Sequence, residues 1–316
     1  MKQKPAKTFK GKTGLGSVIS KDFKKNKLIW FMAIPFVLWY VIFAYIPMGG
    51  IMIAFQKYSI ARGVFSSPWI GLENFRQFFS SYYAFRIIKN TIVLSFYRII
   101  FVFPSSILLA LLLNEVTSSK FKRTIQTITY LPHFISLTVV CGMITVFVSK
   151  NGMINQLMSI FGAEAQSSLL IYPEYYRIIY IISDIWQGIG WGAIIYISAL
   201  AGINSEYYEA AAIDGANRFQ KIIYITIPCL IPTIVTMFIL NIGTFMSVGA
   251  DKTILLYNEN TYEVSDIIAS FVYRRGIVEA DYSFSAAVGL FNGIINLILV
   301  LITNTLSNKT TGEGLW

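Results

Sequence analysis

The residues best equipped for chemistry in this sequence sit inside an apolar run. Asp184 is followed by Trp186, Gln187, Gly188 and Trp191. An ionisable or amide group is costly wherever its surroundings exclude water, so it calls for a role. Carboxylate and amide groups hydrogen-bond hydroxyls, indole faces cover the C–H surface of a ring, and Gly188 brings backbone close. The combination fits reversible recognition of a polyhydroxylated solute. It fits equally well a carboxylate held at a helix–helix or water interface by a structural partner, because one sequence does not show which face turns inward.

Other polar punctuation points to structure rather than catalysis. His133 is the single histidine and follows Pro132, which favours a kinked helix with an interfacial imidazole over a metal site. Asn292 and Asn296 lie four apart on one helical face, where they either line a path or hydrogen-bond a neighbouring helix. Pro228 and Pro232 also lie four apart and remove two helix hydrogen bonds on one side, as a static kink or as a hinge. Cys141 and Cys229 both fall in apolar runs, so no disulfide framework is implied. No G-x-x-x-x-G-K-[ST] run is present, no constellation resembles an enzyme site, and no metal site is expected.

The elements that position these residues follow from composition. Hydrophobic residues make up 55% of the chain, charged residues only 13%, and mean hydropathy is +0.60. A soluble domain carries about 25% charged residues, so the apolar excess must face lipid. The net charge of +10 is scattered among apolar runs rather than gathered on a face, which argues against nucleic acid. Six stretches are long enough to cross a bilayer, near 28–54, 88–113, 125–149, 177–201, 222–247 and 284–306. They lack the alternation of barrel strands, so the fold class is an all-α integral membrane protein with six transmembrane helices. Nine lysines precede Leu28, and the first run is too long for a signal-peptide core. Residues 1–27 are therefore expected to be a basic cytoplasmic tail, mobile over 1–20, ahead of one six-span domain, 28–316. Both termini are then cytoplasmic. Segments 114–124, 202–221 and 307–316 share that side and hold three, two and one Lys or Arg.

The connection between the fourth and fifth spans, 204–228, carries the densest local signals. Residues 205–214 favour a short helix with Ser205 as N-cap and Glu206 and Glu209 near its positive end. Gly215 then supplies the left-handed residue that ends it. Ala210, Ala211 and Ala212 keep the surface smooth enough for close approach by a partner. The spacing Glu209-Ala210-Ala211, Gly215, Ile225-Thr-Ile227-Pro228 resembles the EAA loop of ATP-binding cassette (ABC) importer permeases, with Ile227 where that pattern has Leu. The resemblance implies the type I importer permease fold. It also implies that Glu209, Ala210, Ala211, Asp214, Gly215 and Arg218 belong to a coupling helix docking on an ATPase.

Further segments resemble sugar permeases of the maltose type: Trp69-Ile-Gly-Leu-Glu-Asn-Phe75, Leu109-Ala-Leu-Leu-Leu-Asn114 and Tyr130-Leu-Pro-His-Phe-Ile-Ser136. Residues 255–263, 271–276, 281–284 and 314–316 are similar to a subgroup associated with oligosaccharides from complex polysaccharides. By that resemblance Asn241, Thr244 and Phe245 join the Trp-x-Gly stretch in a sugar path. It further implies a second permease, two ATPase subunits carrying MgATP, an extracytoplasmic solute-binding protein and a bacterial plasma membrane, with no cofactor on this chain itself. A permease for another small solute, a stand-alone secondary transporter and a scaffold are the alternatives. Six spans without a detectable inverted repeat speak against the second.

Overall fold

The computed structural model describes Phe23, residues 25–162 and residues 167–316. The expectation of a mobile tail over 1–20 lies outside the described residues. The chain falls into two units, one ending at Met52 and one comprising Ile53–Trp316. In the first, α1 (Lys27–Phe55 in full) buries no side chain over Lys27–Tyr40. A helix apolar on every face has no solvated side and is a membrane span.

The second unit begins with α2 (Glu73–Ser80) and α3 (Ala84–Glu115). Before α2, Gln56 pairs with Trp69 in an isolated bridge, and buried Asn74 donates to the carbonyls of Ala54 at 2.8 Å and Gln56 at 3.2 Å. Then come α4 (Ser119–Tyr130), α5 (Leu137–Phe147), α6 (Pro173–Ala201), α7 (Ser205–Ile213) and α8 (Arg218–Gly243). The chain ends in α9 (Ala250–Leu256), α10 (Ile268–Tyr273) and α11 (Tyr282–Thr311). Five helices (α1, α3, α6, α8 and α11) are long and apolar enough to cross a membrane, or six crossings if the bent pair α4–α5 counts as one.

That pair corrects the third predicted span, 125–149. The chain bends by 101° between Ser119–Phe134 and Leu137–Phe147, so no single helix covers the run. Pro132 sits in a 3-10 turn, Leu131–Phe134, where its fixed φ and missing N–H stop the helix. Ser136 then caps the restart by accepting from the Val139 N–H. On α4, Phe121, Ile125 and Ile128 form a single apolar stripe among Lys120, Lys122 and Arg123.

Three spans carry a wide π turn two residues ahead of a proline: Val41–Tyr45 before Pro47, Arg98–Val102 before Pro104, and Ile222–Thr226 before Pro228. A proline ring clashes with the carbonyl four residues back, and widening the preceding turn moves that carbonyl aside.

Lipid offers no hydrophobic drive for helices to associate, so cohesion comes from close approach and hydrogen bonds. Helix α6 packs between α3, α4 and α8. A Cβ on Gly190 would collide with the Thr129 carbonyl of α4, and one on Gly192 with the Ser106 hydroxyl of α3. On α11, Asn296 accepts from the Met246 N–H at 2.8 Å, while Asn292 and Asn296 both reach the Ser247 hydroxyl, at 3.2 and 3.0 Å. Of the two roles open to this asparagine pair, the structure has the interhelical one.

Between α9 and α11, fully buried Asp266 is gripped by Arg274 (2.7 Å), by Ser270 (2.9 Å) and, more distantly, by Arg86 (3.7 Å). Burial alone would lower the Arg274 pKa, but its bonds to Asp266 outweigh that and raise it. Arg275 pairs with Glu279 and with Asp281, and Asp281 caps α11 by accepting from the Phe284 N–H. The arginines of this segment thus tie it to α3 and α11.

Candidate functional site

A cavity of about 280 Å³ opens among α3, α6, the α4–α5 turn and the end of α8. Five predicted residues line it together: Gly188, Trp191, Asn241, Thr244 and Phe245. Gly188 faces open space, with nothing within 4 Å of where a Cβ would stand, so here glycine preserves volume rather than allowing close packing. The Asn241 amide donates to the Met237 carbonyl at 2.8 Å, and the Thr244 hydroxyl to the Asn241 carbonyl at 3.1 Å. These bonds fix both side chains against their own helix. The Trp191 ring lies flat on His133, with centroids 4.4 Å apart and planes 5° from parallel, and Phe134 meets it edge-on at 6.0 Å. The broken α4–α5 segment therefore brings the one histidine to the cavity, against the expectation of a merely interfacial imidazole. Flat aromatic faces beside amide and hydroxyl groups suit the C–H faces and hydroxyls of a sugar ring.

Three predicted residues lie elsewhere. Trp186 lines a separate apolar pocket with Met143, Ile144, Phe147, Ile179 and Ile182. Gln187 is half-buried and lines neither space. Asp184 has the structural partners that the sequence left as one of two options. Its Oδ1 accepts from Lys252 Nζ at 2.5 Å, and Arg98 Nε lies 3.0 Å from its Oδ2. Lys252, 3% exposed, also donates to the Tyr180 carbonyl at 3.0 Å and sits 4.5 Å over the Tyr180 ring. Burial draws its ammonium below the ordinary lysine pKa, and Asp184 opposes that shift. Grouping Asp184 and Gln187 with the cavity is corrected by their places along α6, where Asp184 lines an adjoining space with Arg98 and Lys252, and grouping Trp186 with it is corrected by helix geometry. At ~100° per residue, positions 186 and 191 stand about 140° apart on α6.

Among the polar lining residues, Arg98 was passed over by the sequence reading, and His133 was read there as an interfacial imidazole. Arg98 opens the π turn of α3 and is 38% exposed at the side chain. Its signal was present, since an arginine amid an apolar run is expensive and asks for a partner.

The 204–228 loop is built as a capped knob. Asn204, one residue before the expected Ser205, is the N-cap, accepting from the Glu206 N–H at 3.1 Å. Gly215 has φ +79°, with its N–H bonded to the Ala212 carbonyl (3.1 Å) and that of Ala216 to Ala211 (2.8 Å), a Schellman end. Asn217 and Gln220 form a capping box that restarts the chain into α8. The hydroxyls of Tyr208 and Thr226 lie 3.0 Å apart and tie α7 to the base of that span. Glu209, Ala210, Asp214 and Arg218 are exposed, as are apolar Tyr207, Ile213 and Phe219, with Ile213 at 87%. Pro228 stands just past the π turn and Pro232 lies inside the helix, where the Thr236 hydroxyl takes the Pro232 carbonyl at 2.8 Å.

A model of the binding-protein-dependent transport system inner membrane component matches residues 78–311. The chain belongs to that family. It is a multi-pass membrane permease. It is 40% identical to protein LplB of Bacillus subtilis, over 93% of this chain and 92% of that one. It is 38% identical to the polygalacturonan/rhamnogalacturonan transport system permease protein YteP of the same organism, over 92% and 91%. A crystal structure of a bacterial ABC transporter involved in import of the acidic polysaccharide alginate contains a chain that superposes on this permease with a TM-score of 0.86. Identity there is 40%, covering 93% of this chain and 99% of that one. A chain in a crystal structure of bacterial alginate ABC transporter in complex with alginate pentasaccharide-bound periplasmic protein superposes equally well, with a TM-score of 0.86 at 40% identity.

Proposed function

We propose that this permease forms half of the pathway of an ABC importer for an oligosaccharide handed over by an extracytoplasmic binding protein. The observation that carries the proposal is the single cavity joining Gly188, Trp191, Asn241, Thr244 and Phe245 to the His133 ring, inside a family of transport components. A second permease supplies the other half. Two ATPase subunits, carrying MgATP, receive the exposed α7 knob with Glu209, Ala210, Ala211, Asp214, Gly215 and Arg218. The chain crosses a bacterial plasma membrane six times, with the α4–α5 pair as the third passage and both termini cytoplasmic.

The Tyr208–Thr226 contact supports the coupling role, because it transmits displacement of the knob to the foot of α8. Above that foot lie the wide turn, Pro228 and Pro232, two prolines without an N–H to donate, and this stretch serves as the hinge of the span.

The test is purification from the native membrane followed by uptake in proteoliposomes. ATPase subunits co-purify, and ATP-dependent import of oligosaccharides follows addition of the binding protein. At matched abundance, Trp191→Ala and Asn241→Ala lower import of a short and a longer oligosaccharide roughly tenfold or less, as expected for one lost contact of about 0.5–1.5 kcal/mol. Unimpaired import of both sugars would remove the cavity assignment, and import of a non-sugar solute alone would remove the substrate class.

A further inference from the structure

We infer that the cavity is built for an anionic sugar, a uronate whose carboxylate is taken by the Arg98 guanidinium. The inference rests on the oligosaccharide reading of the same cavity and sharpens it. Arg98, Asp184 and Lys252 form a triad of two cations and one anion, which leaves one surplus positive charge.

The geometry says where that charge resides. Lys252 is used up: its buried ammonium holds Asp184 Oδ1 at 2.5 Å and the Tyr180 carbonyl at 3.0 Å, against the Tyr180 ring. Arg98 approaches Asp184 only through Nε, at 3.0 Å and without the alignment of a hydrogen bond. Its two terminal nitrogens make no hydrogen bond within the described residues, and the side chain lines the cavity. No Asp or Glu shares that lining; Arg98 meets Asp184 and Asp251 across an adjoining space, where Asp251 makes no ion pair with it.

An unneutralised charge at membrane depth is costly to keep, so the free fork acquires its counter-ion from what enters the cavity. A planar guanidinium with both terminal nitrogens free matches a carboxylate in two parallel hydrogen bonds, a geometry that a hydroxyl cannot reproduce. The stacked His133–Trp191 pair and the Asn241 amide stand on the same wall system, where a pyranose ring and its hydroxyls would lie once the carboxylate is seated. Asp184 then acts as a positioning residue, holding Nε so that the fork faces outward.

The experiment uses the assembled importer with its ATPases and binding protein in proteoliposomes. The probes are trisaccharides of galacturonate and of mannuronate, each paired with its full methyl ester, offered with saturated binding protein. Wild-type complex imports at least one acid faster than its ester. Arg98→Gln lowers that acid-to-ester ratio about tenfold, the worth of a charge-assisted hydrogen-bonded pair, and Arg98→Lys lowers it less. The binding protein is common to all complexes, so a change in the ratio reports the permease alone. Equal import of acid and ester by wild type, or an equal fall of both in Arg98→Gln at matched abundance, overturns the inference. The wild-type comparison and Arg98→Lys decide the matter even where Arg98→Gln fails to assemble. Wild-type complex that hydrolyses ATP on adding binding protein yet imports no saccharide, acid or neutral, defeats the oligosaccharide reading instead.

Discussion

Gly215 offers a graded perturbation whose order follows from its backbone alone. Its φ is +79°, yet nothing stands within 4 Å of where a Cβ would go. A substitution there meets no neighbour, so its cost is purely conformational. An L-residue in the left-handed region costs about 1–2 kcal/mol, Asn less because its short amide tolerates it, and a β-branched residue more. One to two kcal/mol lowers the population of the capped end by a factor of roughly 5–30. Frayed from that end, α7 loses the Ala212 and Ala211 carbonyl bonds that fix the turn into α8, and the knob no longer moves as one piece with the span. The assay is solute imported per ATP hydrolysed by the reconstituted importer at matched assembly. We expect wild type above Gly215→Asn, then Gly215→Ala, then Gly215→Val. Asn is bulkier than Ala, so an order set by size would reverse those two. Size-ordered results, or normal coupling by Gly215→Val, would refute the conformational argument.

Lys252→Met leaves Asp184 with only the poorly aligned Arg98 and should destabilise the protein by about 3 kcal/mol, while adding Asp184→Asn recovers part of that. Thermal unfolding in detergent measures the cycle, and strict additivity would deny the pairing. Gly190→Ala forces α4 from α6 at the Thr129 carbonyl and should cost about 1–3 kcal/mol, whereas Gly188→Ala, facing open space, leaves stability unchanged and lowers import by narrowing the cavity. Equal melting temperatures for the two variants would contradict the packing described. In a background lacking Cys141 and Cys229, a cysteine at position 73 or 262 should react with an impermeant thiol reagent from outside, and one at 119 or 207 only after the membrane is opened; the reverse pattern would invert the topology.

The apolar runs were legible because length and hydropathy report burial in lipid irrespective of packing. The break at 131–136 was not, since averaging hydropathy across Leu131, Phe134 and Ile135 hides what Pro132 and Ser136 do to the backbone. Gly215 was legible because only a left-handed residue ends a helix and turns the chain so abruptly. Choosing Ser205 over Asn204 as N-cap failed because both types cap equally well, and only the extended backbone at Asn204 decides. Trp191 and Trp186 look alike in a one-dimensional reading, and which face of α6 meets the cavity depends on α3 and α8. Arg98 needed partners 86 and 154 residues away, Asp184 and Lys252, and nothing local announces such a triad.

The wide turns ahead of Pro47, Pro104 and Pro228 let these spans carry an extra residue without turning one half against the other. Each holds one residue more than a regular helix would place there. Removing a single residue from 98–102 would let the stretch wind as ordinary helix, with the two halves of α3 keeping nearly their present facing, because the wide turn holds its extra residue without adding that residue's ~100° of rotation. Arg98 would then lose the widened turn that it opens, and the ring of Pro104 would again press on the carbonyl before it. A gap of one between Arg98 and Val102 is thus felt at Pro104 and at Arg98, and not in the facing of the two halves of α3.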